Sequence, residues 1–211
     1  MKIKILALII ITIFGLISSC KDEPDNLDKG DIKESIYYND YFGIKIPIGN
    51  NWIVQGDKEN RKMIERAKKL IANGDKNVEN NIETEMKENV VLLHLANRVD
   101  SLSSIVVFAE KETGFFWLPT SIDKYILQIK SLLDHTPLDY SYLDKKTDII
   151  VINNTDWRLL KTKYQIRDKY MFQDFLIYKK NGYFLSVIST YSNLARKPLN
   201  DKLIEKIEIN N

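Results

Sequence analysis

Hydrophobic and polar positions divide the chain into three parts. Residues 5–17 carry no charge and are mostly apolar, residues 20–35 are nearly all polar, and from Ile36 onward short apolar and polar stretches alternate. We therefore predict a leader over residues 1–19, a flexible tether over residues 20–35, and one globular domain over residues 36–211.

Two segments of the domain place apolar residues at helical spacing. One is predicted over residues 57–73, with Asp57 as its N-cap and Gly74 as its C-cap, and the other begins after Thr120 or Ser121. The stripes are Met63, Ile64, Ala67, Leu70 and Ile71 in the first helix, and Ile122, Tyr125, Ile126, Ile129 and Leu133 in the second. Each stripe predicts a helix face that packs against the rest of the domain.

Most of the remaining apolar stretches have the composition and alternation of strands. Strands are predicted over residues 41–47, 52–54, 90–99, 104–110, 149–153, 156–166, 170–178 and 183–191, and a short terminal helix over 198–207. Asn181-Gly182 is the strongest short hairpin signal in the chain. From Leu160 to Ile166 apolar or neutral residues alternate with Lys161, Lys163 and Gln165, which predicts an antiparallel sheet with one face in water.

This order of elements resembles a known fold family. An aromatic strand ends in Ile46-Pro47, Trp52 follows, helices alternate with strands, and the meander closes through residues 182–188 before a short helix. The order is similar to the PsbP-like fold, which photosystem II extrinsic subunits, a Ran-binding nuclear factor and DcrB-type bacterial lipoproteins share. The resemblance implies an α+β sandwich, an antiparallel sheet with helices packed on it, that acts as an adaptor or assembly factor without catalysis. It transfers no functional residue.

The leader ends at the single cysteine of the chain, Cys20. Lys2 and Lys4 precede the apolar run, and Ser18-Ser19 stand directly before Cys20, an arrangement that resembles the lipobox of bacterial lipoproteins. The run of 13 residues is shorter than the roughly 20 that span a bilayer, so an uncleaved anchor is the less favoured alternative. We predict that lipid on Cys20 attaches the mature chain to a membrane.

The polar residues after Cys20 give a second indication of location. Lys21-Asp22-Glu23 resembles the export tag of surface lipoproteins in the Bacteroidetes lineage, although a solvated linker explains the same residues. We predict the outer membrane and leave its face open.

The net charge of the mature chain argues against nucleic acid as a partner. Without Lys2 and Lys4, the 31 basic residues become 29 and balance the 29 acidic ones. A neutral chain lacks the basic excess of a nucleic-acid-binding protein and has no strong general attraction to anionic lipid.

Catalytic chemistry has little support in the sequence. His94 lies on an apolar strand and is interpreted as a satisfied, half-buried side chain, and His135 follows a helix and is interpreted as its cap. Nucleophile-elbow, metal-binding and phosphate-loop motifs are absent from the sequence. We therefore expect no enzyme activity, no metal and no cofactor.

One segment stands out as a candidate for binding a partner. Phe115, Phe116, Trp117 and Leu118 lie in a presumed loop, where aromatic residues commonly anchor protein interfaces. The alternative is that they plug one end of the sheet. A non-catalytic envelope lipoprotein that binds a protein is the first hypothesis, beside an envelope enzyme or small-ligand carrier and an immunity-type lipoprotein.

Overall fold

The computed structural model describes residues 27–72, 74–76, 89–112, 120–144, 146–166 and 168–210. Its strands are β1 (Asp31–Lys33), β2 (Ile36–Asn39), β3 (Ile44–Pro47), β4 (Trp52–Val54), β5 (Asn89–Asn97), β6 (Ser104–Lys111), β7 (Ser141–Tyr142), β8 (Asp148–Ile152), β9 (Thr155–Ile166), β10 (Lys169–Lys180), β11 (Tyr183–Tyr191) and β12 (Glu208–Ile209). The helices used below are α1 (Asp57–Ala72), α2 (Ile122–Asp134) and α3 (Lys197–Ile204).

The strands form two antiparallel sheets. The large sheet has the order β4-β5-β6-β11-β10-β9-β7, and β8 pairs with the first half of β9. The small sheet has the order β1-β2-β3-β12. Strands β9, β10 and β11 are neighbours in the large sheet because short turns join them, and Asn181 and Gly182 adopt the positive φ angles, 52° and 75°, of a two-residue hairpin turn.

The main core lies between the two sheets. Trp157, Leu185 and Val187 of the large sheet pack with Ile46 of β3 and with Leu203 of α3 in one cluster. A smaller cluster fills the opposite face of the large sheet, where Tyr125 and Ile126 of α2 contact its strands. The predicted α+β fold class is therefore confirmed, with a second sheet covering much of one face.

The second sheet corrects the prediction that one face of the large sheet is wet. Leu160 and Thr162 of β9 are buried and the intervening Lys161 is half-exposed, as predicted. However, Trp157 and Leu159 are buried on the other face by the main core. The wet face is thus confined to the second half of β9.

The predicted ends of the domain need correction. The sequence predicts that residues 31–33 belong to the tether, but they form β1, which pairs with β2, so the folded part begins before Ile36. The terminal helix ends at Ile204, and β12 follows it and pairs with β3. Both corrected segments are short and bonded mainly through their backbones, which leaves little trace in the apolar pattern.

No helix among the described residues is long and apolar enough to cross a bilayer.

Candidate functional site

The two strongest predictions from the sequence lie outside the described residues. Cys20 precedes the described part, and Phe115, Phe116, Trp117 and Leu118 fall in the gap between Glu112 and Thr120. The residues on either side of that gap are tied together, because the Lys179 ammonium donates to Glu112 Oε1 at 2.7 Å and to the Thr120 carbonyl at 3.1 Å. The partner-binding role of the aromatic segment stays a prediction.

The two histidines have structural surroundings. His94 is half-buried and its Nδ1 lies 2.9 Å from Asn60 Oδ1, so the ring joins β5 to α1. Burial lowers the pKa of His94, against the smaller opposing effect of the Glu59 carboxylate. His135 is the C-cap of α2, and its Nδ1 lies 2.6 Å from the Ser131 carbonyl, as the sequence predicted. Within the described ranges, no group of three or more His, Cys, Asp or Glu side chains has the arrangement of a metal site.

The surface that stands out lies at one end of the large sheet. Three connections meet there: the β5–β6 turn, the β9–β10 turn and the loop from β11 to α3. Strand register brings them together, since Thr190 pairs with Ser104 and Tyr191 pairs with Phe172. We call this the turn end of the sheet.

Four side chains form an apolar depression at the turn end, here called the turn-end patch: Leu102, Tyr170, Phe172 and Leu194. The depression has a volume of about 550 Å³, and Leu102, Tyr170 and Leu194 are 44%, 54% and 63% exposed. Val99 in the same β5–β6 turn is 69% exposed. The four residues of the depression therefore form an exposed apolar patch, and such patches on soluble proteins are commonly functional.

The patch rests on a rigid base. The Phe172 ring stacks on Tyr191 with centroids 5.5 Å apart and planes 4° apart. Tyr191 is 1% exposed, and its hydroxyl donates to Asp174 Oδ1 at 3.2 Å. Burial and the Asp174 charge raise the pKa of Tyr191, so this hydroxyl keeps its proton. The ring that forms the floor of the patch is therefore held in one position by the residues beneath it.

The β5–β6 turn is held by its own polar side chains. Asn97 Oδ1 accepts from the backbone N–H groups of Val99 and Asp100 at 2.9 and 3.1 Å. Asp100 accepts from the Leu102 N–H and from Ser103, and its Oδ2 also accepts from Ser192 at 3.2 Å. These bonds join two of the three connections and hold Leu102 outward.

A cleft beside the patch contains a buried ion network. Lys197 Nζ donates to Asp174 Oδ2 at 2.8 Å and to Asp201 Oδ1 at 2.7 Å, and the Asp174 side chain is 3% exposed. Burial lowers the pKa of Lys197, but its bonds to Asp174 and Asp201 outweigh burial and raise it. The cleft has a volume of about 250 Å³ and is otherwise lined by Ile150, Val151, Ile152, Leu159, Leu176, Ile204 and Glu205. The network fastens the start of α3 to β10.

The sequence contained a weak signal for the turn-end patch. Leu102 stands within Asp100-Ser101-Leu102-Ser103 and Leu194 follows Ser192-Asn193, so each is a lone aliphatic residue among turn formers. An exposed aliphatic side chain in a turn contributes little free energy of burial to the fold, so it indicates a surface that another molecule could cover. The convergence of the turns could not be predicted, because it depends on the register of β6, β10 and β11.

The chain joins the domain at the opposite end of the sheet. Asn39 Nδ2 donates to the Asp28 carbonyl at 2.7 Å, and Phe42, at the end of the same β-turn, contacts Tyr183 with ring centroids 5.4 Å apart. Tyr183 and Tyr191 begin and end β11, and eight residue steps of strand separate them by about 26 Å. The turn-end patch therefore lies a full strand length from Leu27, where the described chain begins.

Comparison with known proteins finds similarity at the level of the fold. No protein-family model matches the chain, and no curated protein matches its sequence. The solution structure of the cyanobacterial PsbP protein CyanoP from Synechocystis sp. PCC 6803 is similar, with a TM-score of 0.53 and 11% identity, and the match covers 92% of this chain and 99% of that chain. A crystal structure from Bacteroides thetaiotaomicron has a TM-score of 0.45 and 10% identity, over 80% of this chain and 46% of that one. The first of these matches confirms the resemblance predicted from the sequence: the chain has a PsbP-like α+β fold.

Proposed function

We propose that the chain is a lipid-anchored envelope protein, held at the outer membrane through Cys20, whose domain binds another protein and performs no catalysis. The observation that carries the binding proposal is the turn-end patch, whose Tyr170 and Leu194 are more than half exposed on a rigid base. The lipobox-like residues before Cys20 support the anchor.

The position of the patch agrees with a role away from the anchoring membrane. Seven residue steps separate Cys20 from Leu27 and span at most about 25 Å. With the Leu27 end of the domain toward the membrane, the patch points outward at least one strand length away. A partner held elsewhere in the envelope could then reach it.

The anchor is tested by replacing the cysteine. Cys20→Ala, expressed beside the wild-type chain in a bacterium that matures lipoproteins and fed an alkyne analogue of palmitate, should incorporate no label and should not be processed to the mature length. The wild-type chain should be labelled and should fractionate with membranes. Equal labelling of both chains would overturn the lipid anchor.

Partner binding is tested by cross-linking in the native envelope. Tyr170→Ala combined with Leu194→Ala should abolish specific cross-linked species that the wild-type chain forms. The matched control is Leu127→Ala with Leu132→Ala on α2, whose side chains are 64% and 47% exposed and lie outside the patch. Species that survive in the patch variant as strongly as in the control would refute binding through this face.

Small-ligand carriage is a second candidate, favoured by the 250 Å³ cleft with its apolar lining and its buried Asp174. Asp174 and Asp201 already have Lys197 as a partner, so these two carboxylates need no ligand to neutralise them. Native mass spectrometry of the chain purified from its own envelope distinguishes the two. A retained small molecule that Leu176→Trp displaces would favour the carrier.

A further inference from the structure

We infer that the turn-end patch docks an apolar segment of a protein that carries acidic side chains beside that segment. The inference rests on the proposed function, and it adds the chemistry of the partner. It follows from the charges around the patch, from their pairing and from the position of the patch on the domain.

Basic residues lie on or beside all three connections, and one of them, Lys169, lines the depression. Arg98 lies in the β5–β6 turn, Lys169 begins β10, and Arg196 precedes α3. Lys163 lies opposite Phe172 in the β9–β10 register, and its ammonium is 5.4 Å from the centre of the Tyr170 ring. In the described part of the chain, none of these four cations forms an ion pair within 4.0 Å, although nine such pairs occur elsewhere.

The acidic residues at the turn end do not balance these cations. Asp100 is occupied by its bonds to the Leu102 N–H, Ser103 and Ser192, and it also lies near Arg196. Asp168, in the β9–β10 turn, is the other described carboxylate of these connections. Counted with the ion network of the neighbouring cleft, where Lys197 pairs with Asp174 and Asp201, the turn end has five cations and four carboxylates, and four of these cations form no ion pair among the described residues.

An apolar centre with a charged rim is the usual anatomy of a protein interface. Aromatic residues and arginine dominate binding energy in such interfaces, and a pre-formed surface loses less side-chain entropy when it binds. Phe172 is paired with both β9 and β11 and is stacked on Tyr191, and Tyr170 is paired with β9, so the backbone of the patch is pre-formed. Carboxylates around an inserted apolar side chain would complement the unpaired cations.

The same composition suits an anionic lipid surface, but the position of the patch favours a protein. If the patch lay on the membrane that holds Cys20 with β11 upright, Leu27 would stand about 26 Å above that membrane, the length of β11. The seven steps from Cys20 reach about 25 Å only when fully extended. A protein partner imposes no such demand on the tether.

The experiment places a photo-reactive amino acid at position 194 of the full-length chain in its native cells, with position 127 on α2 as the control. Both leucines are equally exposed, at 63% and 64%. The expected result is a protein adduct at position 194, at least tenfold stronger than at position 127, whose cross-linked peptide contains apolar residues flanked by Asp or Glu. Adducts with lipid alone would overturn the inference.

A charge variant then tests the acidic rim separately from partner binding. Arg98→Glu with Lys169→Glu should reduce the position-194 adduct at least tenfold, whereas Lys58→Glu with Lys62→Glu on exposed α1 should leave it unchanged. If neither double substitution weakens the adduct, or if the cross-linked peptide contains no acidic residues, the partner is not acidic. The proposed binding function would still stand. Absence of any protein adduct at position 194, together with intact cross-linked species in the Tyr170/Leu194 variant, removes the patch as the site.

Discussion

The two ends of the large sheet differ in how well their apolar side chains are packed and their charged side chains are paired. At the hairpin end, around the β10–β11 turn, the rings of Tyr41, Phe42 and Tyr183 pack edge to face with centroids 4.8–5.9 Å apart. Asn181 donates to the Tyr41 carbonyl, and Asn210 donates to the Gly43 carbonyl at 2.9 Å. At the turn end, apolar side chains are exposed and cations are unpaired among the described residues.

This difference separates stability from function within one domain. The hairpin end holds both ends of the described chain, since Asp28 and Asn210 are bonded there, so its contacts close the small sheet against the large one. The exposed polar and apolar groups of the turn end contribute little to the stability of the fold. Substitutions at the hairpin end should therefore destabilise the domain strongly, and substitutions in the turn-end patch should change its stability little.

The largest effect is expected at the hairpin end. Phe42 is fully buried between Tyr41 and Tyr183, and Phe42→Ala removes a core ring and leaves a cavity, so it should reduce the free energy of unfolding by about 3–5 kcal/mol. Urea unfolding followed by tryptophan fluorescence measures it. A loss below about 1 kcal/mol, in the range of surface substitutions, would contradict the described packing.

The second effect concerns the buried network beside the patch. Lys197→Met leaves the Asp174 carboxylate, 3% exposed, with the Tyr191 hydroxyl as its one remaining side-chain partner among the described residues. Removal of one member of a buried ion pair costs about 3–5 kcal/mol, and because Lys197 is one-third exposed we expect about 2–3 kcal/mol at pH 7. Lys202→Met, on the exposed side of the same helix, is the matched control and should change stability little.

The same network predicts a pH dependence. The pKa of Lys197 is raised in the folded chain, so its contribution is complete below the unfolded lysine pKa of about 10.4 and is lost as the pH rises through the folded value. The difference in unfolding free energy between wild type and Lys197→Met should therefore be constant near neutrality and shrink above about pH 10.4. A difference that stays constant to the alkaline limit of folding would show that the ammonium charge is not what Asp174 needs.

The elements that the sequence predicted share a local cause. The meander β9-β10-β11 could be predicted because its alternation and its Asn181-Gly182 turn are properties of neighbouring residues. The cap of α2 at Ser121 is local in the same way, since its hydroxyl accepts from the Lys124 N–H at 3.3 Å. The resemblance to the PsbP-like fold added the sandwich, which local patterns alone do not determine.

What the sequence could not predict depends on distant pairing. All three residues of β1 are exposed, so nothing in Asp31-Ile32-Lys33 indicates a strand, and only its ladder with β2 makes it one. β12 has two residues and exists because β3 is beside it. The turn-end patch is an extreme case, because Leu102 and Leu194 are 92 positions apart and look like isolated surface residues until the strands are aligned.

A third, smaller effect belongs to the β5–β6 turn at the turn end. Burial raises the pKa of Asp100, but hydrogen bonds from Ser103, the Leu102 N–H and Ser192, together with the Arg196 charge, lower it below its usual value. A depressed pKa contributes stability that is present above the unfolded aspartate pKa of about 3.9 and is lost as the pH falls through the folded value. Asp100→Asn should therefore cost on the order of 1 kcal/mol at pH 7 and nothing at sufficiently acid pH.

Chemical denaturation between pH 2 and pH 7 measures this difference. Asp168→Asn, in the neighbouring turn, is exposed and supplies the control. An equal cost of Asp100→Asn across the whole range would mean that the turn needs the shape of the side chain and not its charge.

The smallest effect on stability, and the sharpest contrast between the two ends, is expected for the turn-end patch itself. Tyr170→Ala removes a ring that is 54% exposed and whose described contact is with the Lys163 ammonium, an interaction of about 0.5–1 kcal/mol at exposed sites. The free energy of unfolding should thus change by less than about 1 kcal/mol, several times less than for Phe42→Ala. Cross-linking at position 194 should nevertheless fall at least tenfold, because the ring forms one wall of the depression. A Tyr170→Ala chain that is strongly destabilised would instead show that the turn end is part of the core, and the separation of a stabilising end from a binding end would fail.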